Sequence, residues 1–411
     1  MFRALFIFFI FFNADVSVSA KTIFVGKEHA VKSIRNAIDL AKQGDTVRIG
    51  HGIYREGNIV VDKSIVLLGD NFPVLDGEYK YEILSIKSDN VVVKGLKLIQ
   101  SGRASLNDPG ALKIYDSKNV CVEGNVLENN FFGIYAQYTR TCIIKNNKIK
   151  SSGTDEQSIG NGIHCWKSDS LIIEGNKIEG HRDGIYFEFV THSVIWRNIA
   201  NNNIRYGLHF MFSNDDSYIS NVFKYNGAGV AVMFTKRVTM INNVFKDNWG
   251  DASYGLLLKE ISDSYIYKNQ FESNTSAIYM EGTNRITIER NDFFGNGWGM
   301  KIQASCMDNV IRKNNFINNT FDVSTNGSLV LNSFELNYWD KYEGYDLNKD
   351  KIGDVSYRPL SLFSVMVEHN PTLMILFKSF IVSLLDKSEK LLPSLTPDNF
   401  IDEQPVMNKY I

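Results

Sequence analysis

The sequence predicts an all-β chain wound as a right-handed parallel β-helix, and three observations lead there. The first is repetition. Aligned on an opening glycine or alanine, the chain reads "ALKIYDSKNVCVEGNVLENNFF" from Ala111, "GIHCWKSDSLIIEGNKIEGHRD" from Gly162 and "GLHFMFSNDDSYISNVFKYNGA" from Gly207. Further units open at Gly184, Gly229, Gly255, Ala277 and Gly299, and most run about 22 residues, a period of stacked solenoids. The second is what a unit contains: two or three short alternating runs separated by Asn, Asp and Gly, as strands are by turns. The third is a pair of asparagine columns. Asn221, Asn243, Asn269, Asn291 and Asn314 recur at one place, each followed by a second asparagine at Asn226, Asn248, Asn274, Asn296 and Asn319. Amides so placed stack at the corners of a coil, where they tolerate left-handed backbone and bond along the column. A run of glycan acceptors is the rival explanation, and Asn318-Asn319-Thr320-Phe321 fits it loosely, but the repetition favours structure.

In chain order, Arg3, the apolar run 4–12 and Val18-Ser19-Ala20 have the pattern of a secretory signal peptide over 1–20, cleaved near Ala20. The run is too short to span a bilayer. Residues 21–50 are expected to form an N-terminal cap. There, "VKSIRNAIDLAK" (31–42) sets Val31, Ile34, Ala37, Ile38 and Ala41 at helical spacing before Gly44, a short amphipathic helix over the open end of the coil. The β-helix proper is placed at 51–338. The C-terminal extension, 339–411, leaves the repeat and carries an acidic loop and an amphipathic helical segment.

Composition narrows the function classes. The net charge of −2 gives no basic field for nucleic acid. Four cysteines, Cys121, Cys142, Cys165 and Cys306, are too few in so long a secreted chain for a disulfide framework. No Pro/Gly/Ser linker divides the chain, which argues for one elongated body.

Strand phase assigns the faces. The first and third residues after each opening glycine are apolar throughout, as in Ile163/Cys165, Leu208/Phe210 and Val230/Val232, so they point inward. The second and fourth are mixed and polar, among them His164/Trp166, Tyr186/Glu188, His209/Met211 and Ala231/Met233, so they point outward. Met240, Met280 and Met300 fall on inward positions, the usual place for a spare methionine. Met211 and Met233 hold the same place in consecutive rungs, about 4.8 Å apart, with His209 beside Met211 on an exposed face. Two thioethers and an imidazole suit copper, Cu(I) above all. The same strip, with His164, Trp166 and Glu188 on the preceding rungs, also reads as a partner-binding surface, since exposed methionines and aromatics are interface residues.

Two features of the extension stand out. "DLNKDKIGD" sets Asp346, Asn348 and Asp350 at alternate positions, with Asp354 beyond, like the start of a calcium loop. Lys351 stands where glycine would ease the turn, and no glutamate follows at position twelve, so a hydrogen-bonded acidic turn stays open beside calcium. Farther on, the apolar stretch from Leu362, broken by Glu368, His369, Pro371 and Lys378, is too interrupted to span a membrane. It is expected to cover the last rung or, given its size, to dock on a membrane partner.

Secreted β-helices are often polysaccharide lyases, hydrolases or epimerases, which need clustered carboxylates on neighbouring rungs. Asp215 and Asp216 form a pair in a turn without matching acids above or below, and Gly50-His51-Gly52 has no aspartate pair nearby. Enzyme activity is therefore not expected, with a carbohydrate-binding or carbohydrate-active protein as the alternative.

"YGLHFMFSNDD", "NGAGVAVMFTKRVTMINN", "DNWGDASYGLLLKEISDS", "GNGWGMKIQAS", "NYWDKYEGYDLNKDKIGDVSYRP" and "LFSVMVEHNP" resemble the NosD family of nitrous oxide reductase maturation proteins. The resemblance covers nearly the whole mature chain. It implies a periplasmic, non-enzymatic accessory protein. It further implies an ABC-type permease and its ATPase as partners, together with a copper chaperone lipoprotein and the reductase. Copper is then the expected cargo, with calcium possible in the acidic loop. Carried onto this chain, His209, Met211 and Met233 match the family's "LHxM" and "AVM" positions. The segment 362–385, with Leu362, Phe363, Leu376, Phe377, Phe380 and Leu384, would rest on the permease. The family usually has glycine where Lys351 stands, which weakens ion binding in that loop.

Overall fold

A computed structural model describes residues 20–103, 108–152, 154–327, 331–391 and 400–411. The signal-peptide segment therefore lies outside the described residues, apart from Ala20. Alternating short runs do form strands, and those strands stack in parallel into sheets of 14, 12 and 13 members that wind as a solenoid. Corresponding positions on successive rungs are mostly 22 or 23 residues apart, stretching to 26 or 29 where a loop is inserted.

The inward positions are as the alternation predicts. Ile163, Cys165, Ile185, Phe187, Leu208, Phe210, Val230 and Val232 are fully buried in the 12-stranded sheet. One rung pairs with the next as Leu208↔Val230, Phe210↔Val232 and Met211↔Met233. Met240, Met280 and Met300 also lie inside. In the 13-stranded sheet the middle residues make an aromatic stack, Phe245–Phe271–Phe293–Phe316–Trp339, with ring centroids 4.2–5.0 Å apart. The opening glycines need no unusual backbone. They are small because a Cβ on Gly184, Gly207 or Gly229 would meet the next rung's carbonyl oxygen at 2.4–2.8 Å.

The asparagines form continuous internal ladders. In the longer one, Asn221 donates its backbone N–H and its Nδ2 to Asn243 Oδ1, and Asn243 repeats both bonds to Asn269. Each amide also returns a bond to a strand carbonyl, Asn243 Nδ2 to Tyr218 O. The ladder members are buried and do not themselves adopt left-handed backbone. The residue before each one does: Ser220, Asn242, Lys268, Arg290 and Lys313 have φ of 53–56°. That residue turns the corner so that the following amide points inward, a displacement of one position from the sequence expectation.

Both ends are closed. Helix α1 (Ile34–Leu40) buries Ile34, Ala37 and Ile38 against the first rungs. It is shorter than the periodic stretch 31–42. Ser33 and the Glu56 carboxylate accept its first N–H groups, while Lys63 Nζ donates to the carbonyls of Ile38, Asp39 and Ala41. Strand formation already begins inside the expected cap, because Thr22–Val25 pairs with Thr46–Ile49. At the far end, Phe400, Asp402 and Val406 return to the last rung. Asp402 Oδ2 accepts from Asn337 N, Asn337 Nδ2 and Trp339 Nε1, in the place of the next ladder amide.

Helix α2 (Leu362–His369) packs on Phe321–Ser324, the last strand of the 12-stranded sheet. It lies against the outer face of the 12-stranded sheet, burying Phe363, Ser364 and Val367 beside Phe321 and pairing Glu368 with Lys301 at 2.8 Å. Phe363 is buried against Phe321 and so fastens the extension to the coil rather than lying open as its sequence suggested, and half-buried Leu376 packs on the same apolar cluster. Leu362 is half-buried. Phe377 is exposed, as are Phe380 and Leu384 of helix α3 (Phe380–Leu391). Among the described residues no helix is long and apolar enough to cross a membrane.

The ladder makes a strong stability prediction. Asn243→Ala leaves the buried Asn221 N–H without its acceptor and removes one bond each from the Asn221 amide, the Asn269 amide and Tyr218 O, so the variant should lose about 3 kcal/mol or more. Urea unfolding of wild type and variant measures it; a difference within about 0.5 kcal/mol, the usual range for surface changes, would mean that the ladder contributes little.

Candidate functional site

The outer positions of the 12-stranded sheet form two columns on successive rungs. One runs Tyr135, His164, Tyr186, His209, Ala231, Leu257; the other runs Gln137, Trp166, Glu188, Met211, Met233, Lys259. The structure thus sets Met211 and Met233 side by side, with His209 two residues before Met211 on the same face. Ala231, His209's neighbour on the next rung, carries only a methyl group toward it.

Pointing outward does not make His209 exposed, and here the sequence expectation is corrected. His209 is only 5% exposed, whereas Met211 and Met233 are half-buried. The aromatic column itself provides the cover. Tyr186 and Tyr206 lie with ring centroids 4.9 and 4.8 Å from His209. His164 is buried in the same way, stacked on Tyr135 at 4.3 Å and edge-on to Tyr186 at 4.8 Å. Trp166 and Glu188 remain half-buried on the outer column.

Around these rings lies a concentration of buried polar atoms without hydrogen-bond partners. Both ring nitrogens of His209 are among them, with His164 Nε2, Asn161 Oδ1, Arg182 Nε and Asp183 Oδ2. His164 Nδ1 does have a partner, Asn161 Nδ2 at 3.3 Å. Burial drives the His164 pKa down to about 3, with Arg182 adding to the effect. His181, which stands in an asparagine-ladder position above Asn203, is wholly buried and held at about 4 by the same desolvation.

This set fits a soft metal better than a hard one. Among the described residues no three His, Cys, Asp or Glu side chains converge as metal ligands. The available donors are two thioethers at the surface and an imidazole whose nitrogens no protein group occupies, a pattern suited to Cu(I). The acidic loop differs. Asp346 accepts from the N–H groups of Lys349, Asp350 and Lys351, Asn348 from Asp350, Asp350 from Ile352, and Asp354 from Leu347. Lys351 takes φ of 72°, the left-handed backbone glycine would supply. These bonds describe an acidic turn, and a calcium ion would compete with backbone donors for the Asp346 and Asp350 oxygens.

A further feature escaped the sequence reading. Phe189, Phe212 and Phe234 follow Glu188, Met211 and Met233 directly, and their rings stack at 5.2 and 5.1 Å with interplanar angles of 9° and 15°. All three are exposed at 40–44% and all have φ of 51–54°. Bulky side chains rarely adopt that backbone. Three consecutive rungs therefore hold apolar rings in solvent at corner positions more easily filled by glycine or asparagine. The signal was present as the repeated dipeptides "EF", "MF" and "MF". An open polar hollow of about 460 Å³, lined by Arg140, Lys167, Asp169 and Phe189 among others, adjoins this ladder.

The model of a family described as "Periplasmic copper-binding protein (NosD)" matches residues 148–348, which include both methionines and His209. The chain is 27% identical over 372 residues to a Pseudomonas aeruginosa protein named "Probable ABC transporter binding protein NosD", covering 85% of this chain and 86% of that one. It is 25% identical over 419 residues to a protein of the same name from Stutzerimonas stutzeri, covering 97% and 95%. The chain is similar to the NosD proteins over most of its length. Its fold is shared more widely. An exopolygalacturonase of family 28 from Yersinia enterocolitica superposes with a TM-score of 0.54 at 12% identity, covering 74% of this chain and 75% of that one. The catalytic unit of an α-1,3-glucanase from Streptomyces thermodiastaticus gives 0.56 at 14%, covering 76% and 65%. At such identities the likeness concerns the coil alone. The NosD relatives are named as binding proteins rather than enzymes.

The buried imidazoles carry a pH signature. His164 and His181 have folded pKa values below the ordinary 6.5, so the unfolded chain binds more protons between that value and the folded ones. The imidazole contribution to stability should therefore fall as pH drops from about 6.5 toward 4, opposed by buried Asp216 and Asp322, whose carboxyl pKa values burial raises to about 8 and about 6. His181→Asn, which supplies a ladder amide in place of one imidazole, should flatten that decline in thermal melts at pH 7 and pH 5. Equal slopes for the two proteins would refute the assignment to His181.

Proposed function

We propose that this NosD-type chain is a periplasmic accessory protein in the maturation of nitrous oxide reductase. In this reading it works on an ABC-type permease with its ATPase, takes copper from a chaperone lipoprotein, and passes it toward the copper-sulfur centre of the reductase. It makes and breaks no covalent bond. The observation that carries the proposal is the registered Met211–Met233 pair beside an uncommitted His209 imidazole. The half-buried thioethers meet the metal first, and His209 completes the ligand set from below.

Partner binding follows from what surrounds the pair. Trp166, Glu188 and the Phe189–Phe212–Phe234 ladder form a rim that a copper donor or acceptor must press against to reach the thioethers. His164, being buried, serves this surface by holding Tyr186 in place rather than by touching a partner. Phe377, Phe380 and Leu384 present the exposed apolar surface that rests on the permease, while Leu362, Phe363 and Leu376 anchor that module.

A second reading, a carbohydrate-active coil, draws support from one observation: the sheet face brings phenol, imidazole, carboxylate and guanidinium groups together at Tyr186, His209, Asp183 and Arg205. The burial of His209 and Asp183 weighs against a polymer reaching them. Turnover or binding on uronate polymers would favour this reading; no effect across a panel of them would remove it.

Titration with Cu(I) tests the first reading. Wild type should bind, and the Met211→Leu, Met233→Leu double variant should bind at least tenfold more weakly with an unchanged thermal melt. Unchanged affinity would end the ligand assignment. Separately, Phe380→Ser with Leu384→Ser should abolish copurification with the permease in mild detergent while leaving Cu(I) affinity intact; retention of the complex would place the membrane contact elsewhere.

A further inference from the structure

Asp183 has no counterpart among the ligands considered above, yet its position is unusual. It is fully buried beneath Tyr206 and Arg205 on the rung before His209. Its Oδ1 accepts one hydrogen bond, from the Tyr206 N–H at 3.3 Å. The Arg205 guanidinium lies 3.7 Å from Oδ1 and that of Arg182 lies 3.8 Å from Oδ2, near enough to balance its charge without bonding it closely. Oδ2 has no hydrogen-bond donor at all. It faces His209 Nδ1 at 3.7 Å, and that nitrogen is equally unpartnered. Buried polar atoms of native proteins are almost always satisfied, so two orphans facing each other across less than 4 Å call for an explanation.

We propose that Asp183 is the positioning residue for His209. Its Oδ2 accepts the Nδ1–H of the neutral imidazole, which fixes the tautomer and leaves Nε2 as the ligand for a soft metal held with Met211 and Met233. The inference rests on the copper reading given above. Metal-ligating histidines commonly donate their second ring nitrogen to a carboxylate, which orients the ring and raises its basicity. Here the two residues stand on adjacent rungs, so the coil's register supplies the alignment that a single strand could not. A short rotation of the imidazole would bring Nδ1 within hydrogen-bond distance of Oδ2 and leave Nε2 free to serve a soft metal together with the thioethers of the neighbouring column. Arg182 and Arg205 keep the carboxylate in place while this happens, and Tyr186 and Tyr206 bound the ring's swing on either side.

The test compares Asp183→Asn, His209→Ala and the double methionine variant in the full mature chain, using Cu(I) competition against a chromophoric chelator. Wild type should bind, and His209→Ala should bind more weakly. Asp183→Asn should weaken binding about 10- to 100-fold while X-ray absorption still shows sulfur ligation. In ¹⁵N-histidine spectra, wild type should hold His209 as the Nδ1–H tautomer and the variant should show a tautomer mixture at an unchanged thermal melt, which separates lost positioning from loosening of the fold. Should Asp183→Asn not fold, Asp183→Glu places the carboxylate one methylene farther along and should weaken binding as well. If His209→Ala weakens binding while the Asp183 variants bind as wild type with the same tautomer, the positioning role is overturned and the copper reading stands. If neither His209→Ala nor the methionine pair alters affinity, the ligand set itself is wrong and the role of Asp183 falls with it.

Discussion

Every feature of this molecule depends on rung-to-rung register, and the internal amide ladders hold that register. A parallel sheet fixes which residue lies above which only as firmly as its hydrogen bonds resist slippage. At each corner the asparagine adds bonds that exist in one register alone, joining Asn221 to Asn243 to Asn269 with two bonds per step. A slip by one residue would turn the amides outward and leave a row of buried carbonyls without donors. The ladders therefore convert a general tendency of short strands to stack into one specified alignment. The Met211–Met233 pair, the imidazole–phenol column and the exposed phenylalanine ladder are all consequences of it.

The fold was legible in the sequence because its determinants are local and repeated. Alternation gave the inward face, and Leu208, Phe210, Val230 and Val232 lie inside as counted. The period set the register that pairs Met211 with Met233. The site was less legible, for reasons that lie in three dimensions. Strand phase says which way His209 points, but its cover comes from Tyr186 and Tyr206, one on the preceding rung and one three residues earlier at the strand's start. The same limit hid Asp183, whose approach to His209 crosses rungs. Phe363 looked like a free apolar residue because nothing in its neighbourhood of the sequence announces Phe321 as its partner. The phenylalanine ladder could have been found from its recurrence alone, had the position after the outer column been compared across units.

The division of labour along the coil is clear. The middle rungs carry the face where thioethers, imidazoles and solvent-facing rings gather. The last rungs carry helix α2, fastened to Phe321 and paired through Glu368 and Lys301, which lifts an apolar surface away from the coil. The two regions lie on the same sheet, a few rungs apart, so a rigid scaffold holds the proposed copper-handling face at a set distance from the proposed docking surface. The middle of the coil is also where polar burial is least satisfied, a concentration that a purely structural solenoid would not need.

The last member of the longer ladder differs from all the others in its chemistry. An asparagine side chain both receives and gives, so each one asks for a successor. Asp402 only receives, taking the bonds of Asn337 and the Trp339 indole and offering nothing onward. A stack that could otherwise grow by adding another coil end to end meets a terminus that cannot propagate it. A single carboxylate in place of an amide is thus a stop signal against filament growth, written into the chain at the point where a solenoid is most exposed to it.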